Sequence, residues 1–331
     1  MKSTFRTLLS LLIALGVAAA ASQPATAAGT KKKAVTSKKV ASKSVTKRSH
    51  KSVKPVVYRA SAAEDDGAGA IDNIKSSAVA VIDQTTGDVL YEKNASAVVP
   101  IASITKLMTA MVALDVQPSL TETLTIGEAD VDTLKGTHSR LSVGTQLSRE
   151  EMLRLALMSS ENRAASALSR HYPGGRAAFI EAMNAKARIL GLTETHFSDA
   201  TGLTPENVSS ARDLVKMVNA AHQYPLIREF STSEEYQVAV RGRQQTFRNT
   251  NALVRNDDWT IGLSKTGYIS EAGKCLVMQA WLDNKPTIIV LLDSWGRLTR
   301  IGDANRIKRW IENASANQLR RSAALGRRTA G

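Results

Sequence analysis

The stretch VPIASITKLMTAMVAL, residues 99–114, decides the fold of this chain. Pro100 precedes a predicted helix that begins near Ser103. The apolar side chains of this helix cover most of its circumference: Ile104, Leu107, Met108, Met111, Val112 and Leu114. A helix that is apolar nearly all round is buried in the centre of a domain. We therefore place this helix in the core and arrange the other elements around it.

Strand patterns lie on both sides of the central helix. Apolar runs rich in β-branched residues and bounded by turn residues predict strands. The strands predicted in this way cover residues 78–82, 89–91, 236–240, 245–249, 261–268, 275–282 and 287–292. The last three are expected to be consecutive and antiparallel.

Helical patterns fill the middle of the chain. Ser148 and Glu151 form a capping-box pattern before a helix that ends near Met158. Further helices are predicted over residues 177–190, 211–222 and 304–311. The order of strand pair, central helix, helical segment, three strands and final helix predicts an α+β fold. We expect one antiparallel five-stranded sheet flanked by helices, with a helical subdomain, and an active site in the crevice between these parts.

Three short motifs with reactive side chains occur in order: SITK at residues 103–106, SEN at 160–162 and KTG at 265–267. Residues three apart share a helix face, so Lys106 can reach the hydroxyl of Ser103. That hydroxyl needs a base, and lysine is a base only when burial or a neighbouring positive charge, such as Lys265, lowers its pKa. At a helix N-terminus, backbone N–H groups including that of Ser103 can face a developing oxyanion.

The other two motifs supply groups for a proton and for a substrate. The Ser160 hydroxyl can pass a proton between Lys106 and a departing amine, and Asn162 offers a donor and an acceptor to a substrate amide. Lys265 can bind a carboxylate and Thr266 adds a hydroxyl donor. Gly267 lets a peptide lie against the strand. Each motif alone also fits a structural role, a helix cap or an edge strand; their order and context favour catalysis.

On these motifs the chain resembles the penicillin-binding protein and serine β-lactamase superfamily. The segments SDATGL at 198–203 and EAGKCLVM at 271–278 are similar to exported DD-peptidases, the second most of all to D-alanyl-D-alanine endopeptidases. The resemblance covers roughly residues 78–311. It implies a β-lactamase/transpeptidase-like fold, an acyl-enzyme on Ser103, D-alanyl peptide bonds of peptidoglycan as substrate and β-lactams as covalent inhibitors at Ser103. It also implies the Tyr268 backbone N–H as second oxyanion donor, and no cofactor or metal.

Alternative functions stay open at this point. A D-Ala-D-Ala carboxypeptidase uses the same residues as an endopeptidase that cuts D-Ala–diaminopimelate cross-links. A class A β-lactamase needs a glutamate in an E-x-x-L-N segment after the second motif, and residues 163–210 contain none. A non-catalytic wall-binding protein is a further alternative. It does not need the serines, lysine and asparagine of SITK and SEN, so their presence disfavours it. Neither G-x-S-x-G nor H-E-x-x-H occurs, which disfavours a His-based triad and a zinc peptidase.

The first sixty residues differ in composition from the rest. Residues 1–27 combine a basic start, an apolar run and an A-x-A site, which predicts a cleaved signal peptide and a periplasmic protein. Residues 1–60 contain 13 of the 44 Lys and Arg and none of the 30 Asp and Glu. We predict a disordered basic tail over 28–70, which is either a spacer or a binder of anionic envelope polymers or lipid head groups. The nearly neutral remainder predicts no nucleic-acid surface.

The remaining boundaries follow from these assignments. The catalytic domain is predicted over residues 71–313, with its helical insert at about 116–232. Residues 314–331 are basic and small without a long amphipathic pattern, so a loose tail is expected. Cys275, the single cysteine, lies in an apolar run, which predicts a buried, inert thiol and excludes an internal disulfide.

Overall fold

Strands and helices alternate through the part of the computed structural model that is described, residues 71 and 73–329, with side chains to residue 317. The strands are β1 (Ala78–Asp83), β2 (Val89–Lys93), β3 (Val99–Pro100), β4 (Thr123–Thr125), β5 (Gln146–Ser148), β6 (Val208–Ser209), β7 (Glu235–Val240), β8 (Arg243–Arg248), β9 (Thr260–Ile269), β10 (Gly273–Leu282) and β11 (Lys285–Ser294). The helices are α1 (Lys106–Asp115), α2 (Arg149–Met158), α3 (Asn162–Arg170), α4 (Gly175–Ile189), α5 (Ala211–Ala221), α6 (Pro225–Thr232) and α7 (Thr299–Thr329). The predicted signal peptide and basic tail, residues 1–70, lie outside the described residues.

Five strands form one antiparallel sheet, in the spatial order β2-β1-β11-β10-β9. The first and last strands along the chain meet in its centre, where Val81 lies opposite Ile289. The KTG motif is on β9, at the edge of the sheet, with Lys265 opposite Val277 of β10. The predicted α+β fold with a five-stranded antiparallel sheet is confirmed. Because β9 is the last strand of this sheet, only one of its two edges is paired with another strand of it.

Different layers cover the two faces of the sheet. On one face, Ala304, Ile307 and Ile311 of α7 pack in an apolar layer with side chains of β1, β10 and β11. The other face is covered by the helices α1–α6 and a second, larger apolar cluster. Helix α1 lies at the centre of that cluster and contacts α2, α3, α4, α5 and α6. The prediction of a central helix buried on all sides is therefore confirmed.

The C-terminal segment differs from the prediction. Residues 314–331 were expected to form a loose tail, whereas α7 continues through Thr329. The segment is rich in Ala, Leu and Arg and has no proline, so a helix that is started by the packing of Ala304 and Ile307 can continue without an amphipathic pattern. Within the described part of the chain, α7 included, no helix is both long enough and apolar enough to span a membrane.

Candidate active site

Ser103 lies at the mouth of the cleft between β9 and the helical layer, in a 3-10 turn (Ala102–Thr105) directly before α1. Two glycines allow the chain to pack closely around this turn. A Cβ at Gly202 would lie 2.0 Å from the Ala102 carbonyl oxygen, and one at Gly267 would lie 3.0 Å from the Ser103 nitrogen. The Gly202 backbone also has φ 79°, in the left-handed region. The turn is thus held between β9 and the loop at 198–207.

Lys106 is completely buried and its Nζ has three partners. It lies 2.8 Å from the Ser103 Oγ, 2.8 Å from the Asn162 Oδ1 and 2.7 Å from the Thr201 carbonyl oxygen. Burial lowers the pKa of Lys106 to about 7, although the charges of Asp199 and Glu161 oppose this shift. A neutral amine has two N–H groups and one lone pair. Because Asn162 Oδ1 and the Thr201 carbonyl can only accept, they take the two N–H groups and the lone pair faces the Ser103 hydroxyl.

Lys265 is a second buried lysine in the same cleft. Its Nζ donates to the Ser160 Oγ at 2.9 Å and to the Thr266 carbonyl oxygen at 3.0 Å. Burial lowers the pKa of Lys265 well below its ordinary value, and the positive charges of Lys106 and Arg300 act in the same direction. Burial is the largest effect on the pKa of both lysines. The charge of Lys106 lowers the pKa of Lys265, whereas an effect of Lys265 on the pKa of Lys106 stays a prediction.

Ser160 lies between α2 and α3 in a constrained backbone conformation, with φ 61°. Such a conformation is uncommon for a residue with a side chain and is often found at functional sites. Its hydroxyl, for which we predict a proton relay from Lys106, is hydrogen-bonded to Lys265. The structure thus forms two adjacent groups, Ser103–Lys106–Asn162 and Ser160–Lys265.

The remaining predicted site residues follow along β9. The Thr266 Oγ1 donates to the Thr250 Oγ1 at 2.7 Å, and the Gly267 carbonyl oxygen lies 3.5 Å from Nη1 of Arg300. The Tyr268 side chain is 59% exposed, with the Lys274 Nζ 4.2 Å from its ring centroid. The open edge of β9 therefore has positive charge and an exposed ring beside it.

Several residues of the site were missed by the sequence analysis. Asn207 is buried, and its Nδ2 donates to the Thr105 Oγ1 at 3.0 Å and to Asp199, while its Oδ1 accepts from the Ser198 backbone N–H. Asp199 also accepts from the backbone N–H of Gly202 at 2.9 Å. These bonds hold the loop that presents the Thr201 carbonyl to Lys106. The SDATGL segment at 198–203 contains Asp199 and Thr201. It supported the family resemblance, but it did not indicate that the Thr201 carbonyl accepts a hydrogen bond from Lys106.

Glu161, the middle residue of SEN, is also part of the buried region. Its Oε2 accepts from the Ser139 Oγ at 2.6 Å, and its Oε1 lies 3.9 Å from Nε of Arg140. Burial raises the pKa of this carboxyl despite these partners. The side chain ties the SEN turn to the loop at 131–141.

A space lies beside Asn162 and Thr201, two of the hydrogen-bond partners of Lys106. A cavity of about 340 Å³ has Asn162 and Thr201 in its wall, together with α3, α4 and residues 129–134. Among residues 71 and 73–329, no three His, Cys, Asp or Glu side chains are grouped as metal ligands. Cys275 is buried, as predicted, and burial raises the pKa of its thiol to about 11, which makes it unreactive.

A buried lysine bonded to a serine at the start of a central helix, beside a KTG edge strand, defines a serine hydrolase of the penicillin-binding type. The family described as Peptidase_S11, D-alanyl-D-alanine carboxypeptidase, matches residues 62–295. The chain belongs to this family of serine DD-peptidases.

Individual relatives agree with this assignment. The chain is 49% identical to a D-alanyl-D-alanine endopeptidase of Pseudomonas aeruginosa over 74% of this chain and 80% of the relative. It is 48% identical to a D-alanyl-D-alanine endopeptidase of Escherichia coli over 72% of this chain and 78% of the relative. Its fold is similar to the crystal structure of the Streptomyces K15 DD-transpeptidase, with TM-score 0.67 and 30% identity, over 72% of this chain and 97% of that one. The predicted family resemblance is confirmed.

Proposed function

We propose that the chain is an exported endopeptidase that hydrolyses D-Ala–diaminopimelate cross-links of peptidoglycan through an acyl-enzyme on Ser103. The observation that carries the chemistry is the buried Lys106 Nζ, 2.8 Å from the Ser103 Oγ, with two obligate acceptors on its other sides. The preference for cross-links is supported by two relatives of nearly half-identical sequence that are named D-alanyl-D-alanine endopeptidases.

The first half-reaction acylates the serine. Neutral Lys106 takes the Ser103 proton while Oγ bonds to the D-alanyl carbonyl carbon. We assign the oxyanion to the backbone N–H groups of Ser103 and Tyr268. The C–N bond then breaks, and the departing amine receives the proton through the Ser160 hydroxyl. Lys265, hydrogen-bonded to Ser160, orients that hydroxyl. In the second half-reaction water attacks the ester, its proton returns to Oγ through Lys106, and the D-alanyl acid leaves.

The substrate is placed along the open edge of β9. Gly267 has no side chain to block a peptide, and Thr266 supplies a hydroxyl. The amine released from a cross-link lies next to a carboxylate of diaminopimelate. Arg300, whose Nη1 lies 3.5 Å from the Gly267 carbonyl oxygen, supplies positive charge beside the same edge, which complements that carboxylate. We assign the Lys265 Nζ to the same carboxylate as a hydrogen-bond donor. The Asn162 Oδ1 holds Lys106 and one N–H of its Nδ2 donates to Thr137. We assign the second N–H of Nδ2 to the substrate.

Fluorescent penicillin labelling tests the nucleophile. We expect the wild-type protein to become labelled at one site and Ser103→Ala to remain unlabelled, because β-lactams mimic the acyl donor at Ser103. A tryptic peptide containing residue 103 is expected to carry the adduct. An unlabelled wild-type protein contradicts the enzymatic proposal and favours a non-catalytic wall-binding protein.

Digestion of purified muropeptides tests the choice of bond. We expect cross-linked dimers to be converted to monomers, with product masses increased by one water per bond cut. A carboxypeptidase is the second candidate, favoured by the description of the family as D-alanyl-D-alanine carboxypeptidase. Removal of terminal D-Ala from free pentapeptides, with dimers left intact, would establish that candidate instead.

Hydrolysis of β-lactams is expected to be slow. Asp199, a carboxylate close to Lys106, already accepts from the backbone N–H groups of Thr201 and Gly202 and from Asn207. It is therefore occupied as a hydrogen-bond acceptor and not free to activate a deacylating water. Repeated rapid turnover of nitrocefin would contradict this and support a class A-like β-lactamase.

Export and the role of the basic tail complete the proposal. We assign residues 1–27 to a signal peptide and residues 28–70 to a tail that contacts anionic envelope polymers or lipid head groups, with no nucleic-acid partner. Mass spectrometry of the protein from a periplasmic extract is expected to find an N-terminus near Ala28. Deletion of residues 28–70 is expected to weaken sedimentation with cell-wall sacculi at low salt; unchanged sedimentation would identify the tail as a spacer.

A further inference from the structure

The direction in which the Asn162 amide points decides whether Lys106 can be a base. With Oδ1 towards Lys106, the amide accepts an N–H of the amine and leaves the lone pair for Ser103. With the amide rotated by half a turn, its NH₂ group would donate to that lone pair and compete with the Ser103 hydroxyl. The two ends of the amide have nearly the same shape, so packing alone does not choose between them.

A carboxylate outside the three motifs starts a chain of hydrogen bonds that makes this choice. Asp132 accepts from the backbone N–H of Leu134 at 2.8 Å, of Lys135 at 3.0 Å and of Thr137 at 2.8 Å. Burial alone would raise its pKa, but these bonds and that of the Thr137 hydroxyl outweigh burial and hold the pKa below its usual range. Asp132 is therefore ionised and can only accept hydrogen bonds.

Thr137 transmits this polarity to the amide. Its hydroxyl donates to the Asp132 Oδ2 at 2.7 Å, and a hydroxyl has a single proton. Towards Asn162 the oxygen can therefore only accept, and the Asn162 Nδ2 donates to it at 3.0 Å. The NH₂ group is fixed on the Thr137 side, so Oδ1 faces Lys106.

We propose that Thr137 and Asp132 are positioning residues that orient the Asn162 amide and thereby direct the lone pair of Lys106 at the Ser103 hydroxyl. The chain runs Asp132–Thr137–Asn162–Lys106–Ser103. Asp132 accepts at its end, and each other member donates to the neighbour on the Asp132 side. This inference rests on the proposed role of Lys106 as the base. It adds two residues from the loop at 131–141, which none of the three motifs contains.

The pH dependence of acylation separates this role from a merely structural one. The carboxylates whose charges act on Lys106 are Asp199 and Glu161, and the titratable Lys265 lies in the same cleft. The Thr137→Val substitution changes none of them. With Thr137→Val the amide is free to rotate. When its NH₂ group turns towards Lys106, the charged amine loses an acceptor and the neutral amine gains a donor. The pH midpoint of acylation is then expected to move down, while the plateau rate also falls.

Rates of acylation by a fluorescent penicillin, measured from pH 5 to pH 9, provide the test. We expect Thr137→Val to lower the plateau about five- to tenfold, the equivalent of one hydrogen bond, and to lower the midpoint. Thr137→Ser retains the hydroxyl and is expected to restore both. Asp132→Asn is expected to act in the same direction as Thr137→Val. An amide at residue 132 can donate to the Thr137 oxygen, and the Thr137 hydroxyl can then donate to Asn162 instead of accepting from it.

A matched control exists in the β1–β2 turn. Thr86 Oγ1 also donates to a carboxylate, Asp88, at 2.8 Å, and the pair is exposed. Thr86→Val is expected to leave the plateau and the midpoint at the wild-type values. Thermal unfolding of each variant shows whether it is folded.

The outcomes distinguish the two proposals. A folded Thr137→Val protein with wild-type plateau and midpoint overturns the positioning role, as does a lower plateau with an unchanged midpoint. Failure of wild type to acylate at Ser103, or equal labelling of Ser103→Ala, overturns the proposed function itself. Rescue of both parameters by Thr137→Ser supports the positioning role.

Discussion

The two faces of the central sheet hold opposite kinds of interior. Under α7 the buried layer is apolar and includes Val79, Leu276, Leu291 and Ile307. On the cleft side, the larger apolar cluster adjoins two buried lysines, Lys106 and Lys265. Burial of apolar surface stabilises a fold, whereas burial of an amine is unfavourable unless the amine loses its charge. One face thus stabilises the molecule, and the other uses part of that stability to bury Lys106, which lowers its pKa to about 7.

Backbone strain is also present on the cleft side. Ala102 precedes Ser103 and has φ 48°, and Ser160, which is hydrogen-bonded to Lys265, has φ 61°. Left-handed conformations of residues with side chains are unfavourable and persist only where the surroundings enforce them. A rigid sheet backed by α7 supplies such surroundings. The comparison predicts that substitutions in the cleft change activity, while substitutions under α7 change stability.

The largest expected effect is on activity, from Lys106→Met. Methionine fills a similar volume but has no N–H or lone pair for Ser103, so the rate of penicillin acylation is expected to fall about 10²- to 10⁴-fold. Lys93→Met is the matched control, because the Lys93 Nζ donates to the backbone carbonyls of Ile74 and Ser76. It is expected to acylate at the wild-type rate once folded. Acylation of Lys106→Met at a nearly normal rate would contradict the proposed role of Lys106 as the base.

The next effect is on stability, from Leu291→Ala in the layer under α7. Removal of a fully buried leucine leaves a cavity and is expected to lower the free energy of unfolding by about 2–5 kcal/mol. The acylation rate per folded molecule is expected to stay unchanged. Val98→Ala, at a side chain 53% exposed, is the control and is expected to change stability little. A specific loss of acylation in folded Leu291→Ala would break the division between the two faces.

A third prediction concerns the dependence of stability on pH. Lys106 has a folded pKa of about 7 and an unfolded pKa near ~10.4. Between these values the unfolded chain binds a proton that the folded protein does not, so Lys106 makes the free energy of unfolding rise with pH, by up to about 1.4 kcal/mol per unit. Below the folded pKa both states are protonated and this slope disappears.

Urea unfolding of wild type and Lys106→Met at several pH values tests this prediction. The difference between the two free energies of unfolding is expected to grow in favour of wild type from about pH 7 towards pH 10. Lys265 is present in both proteins, so the effect of its burial cancels. The part of its pKa shift that comes from the charge of Lys106 is absent from Lys106→Met. Parallel curves over this range would mean that Lys106 is charged in the folded protein.

The smallest expected effect comes from an ion pair that joins the two sides of the cleft. The Lys135 Nζ lies 2.6 Å from the Glu271 Oε1, between the loop at 131–141 and the turn from β9 to β10. Because Glu271 is exposed and water screens the pair, Glu271→Gln is expected to change acylation less than about threefold. The difference is expected to vanish in high salt. A tenfold change in the acylation rate of Glu271→Gln at high salt would show that this ion pair belongs to the active site.

Much of the fold was predictable because its signals are local. The apolar runs of β1, β10 and β11 and the all-round apolar pattern of the central helix follow from short-range periodicity. The prediction failed at the C-terminus, where the lack of an amphipathic pattern was taken to mean a loose tail. A helix already started by packing against the sheet continues through residues that favour helix.

The site was predictable only in part. The motifs identify Ser103, Lys106 and Lys265, but their partners lie far away along the chain: the Thr201 carbonyl is 95 residues from Lys106, and Arg300 is 33 residues from Gly267. Backbone carbonyls and common side chains such as Thr137 have no motif of their own. They acquire a role only from the groups that folding brings beside them.

The sequence by itself determined which chemical groups are available and that α1 must be buried, because residue identity and apolar periodicity are written along the chain. Folding sets the pKa of Lys106 at about 7, because that pKa depends on removal of the amine from water. Only the tertiary structure decided which hydroxyl each lysine contacts and which way the Asn162 amide points, because hydrogen-bond direction is set by neighbours that are distant in sequence.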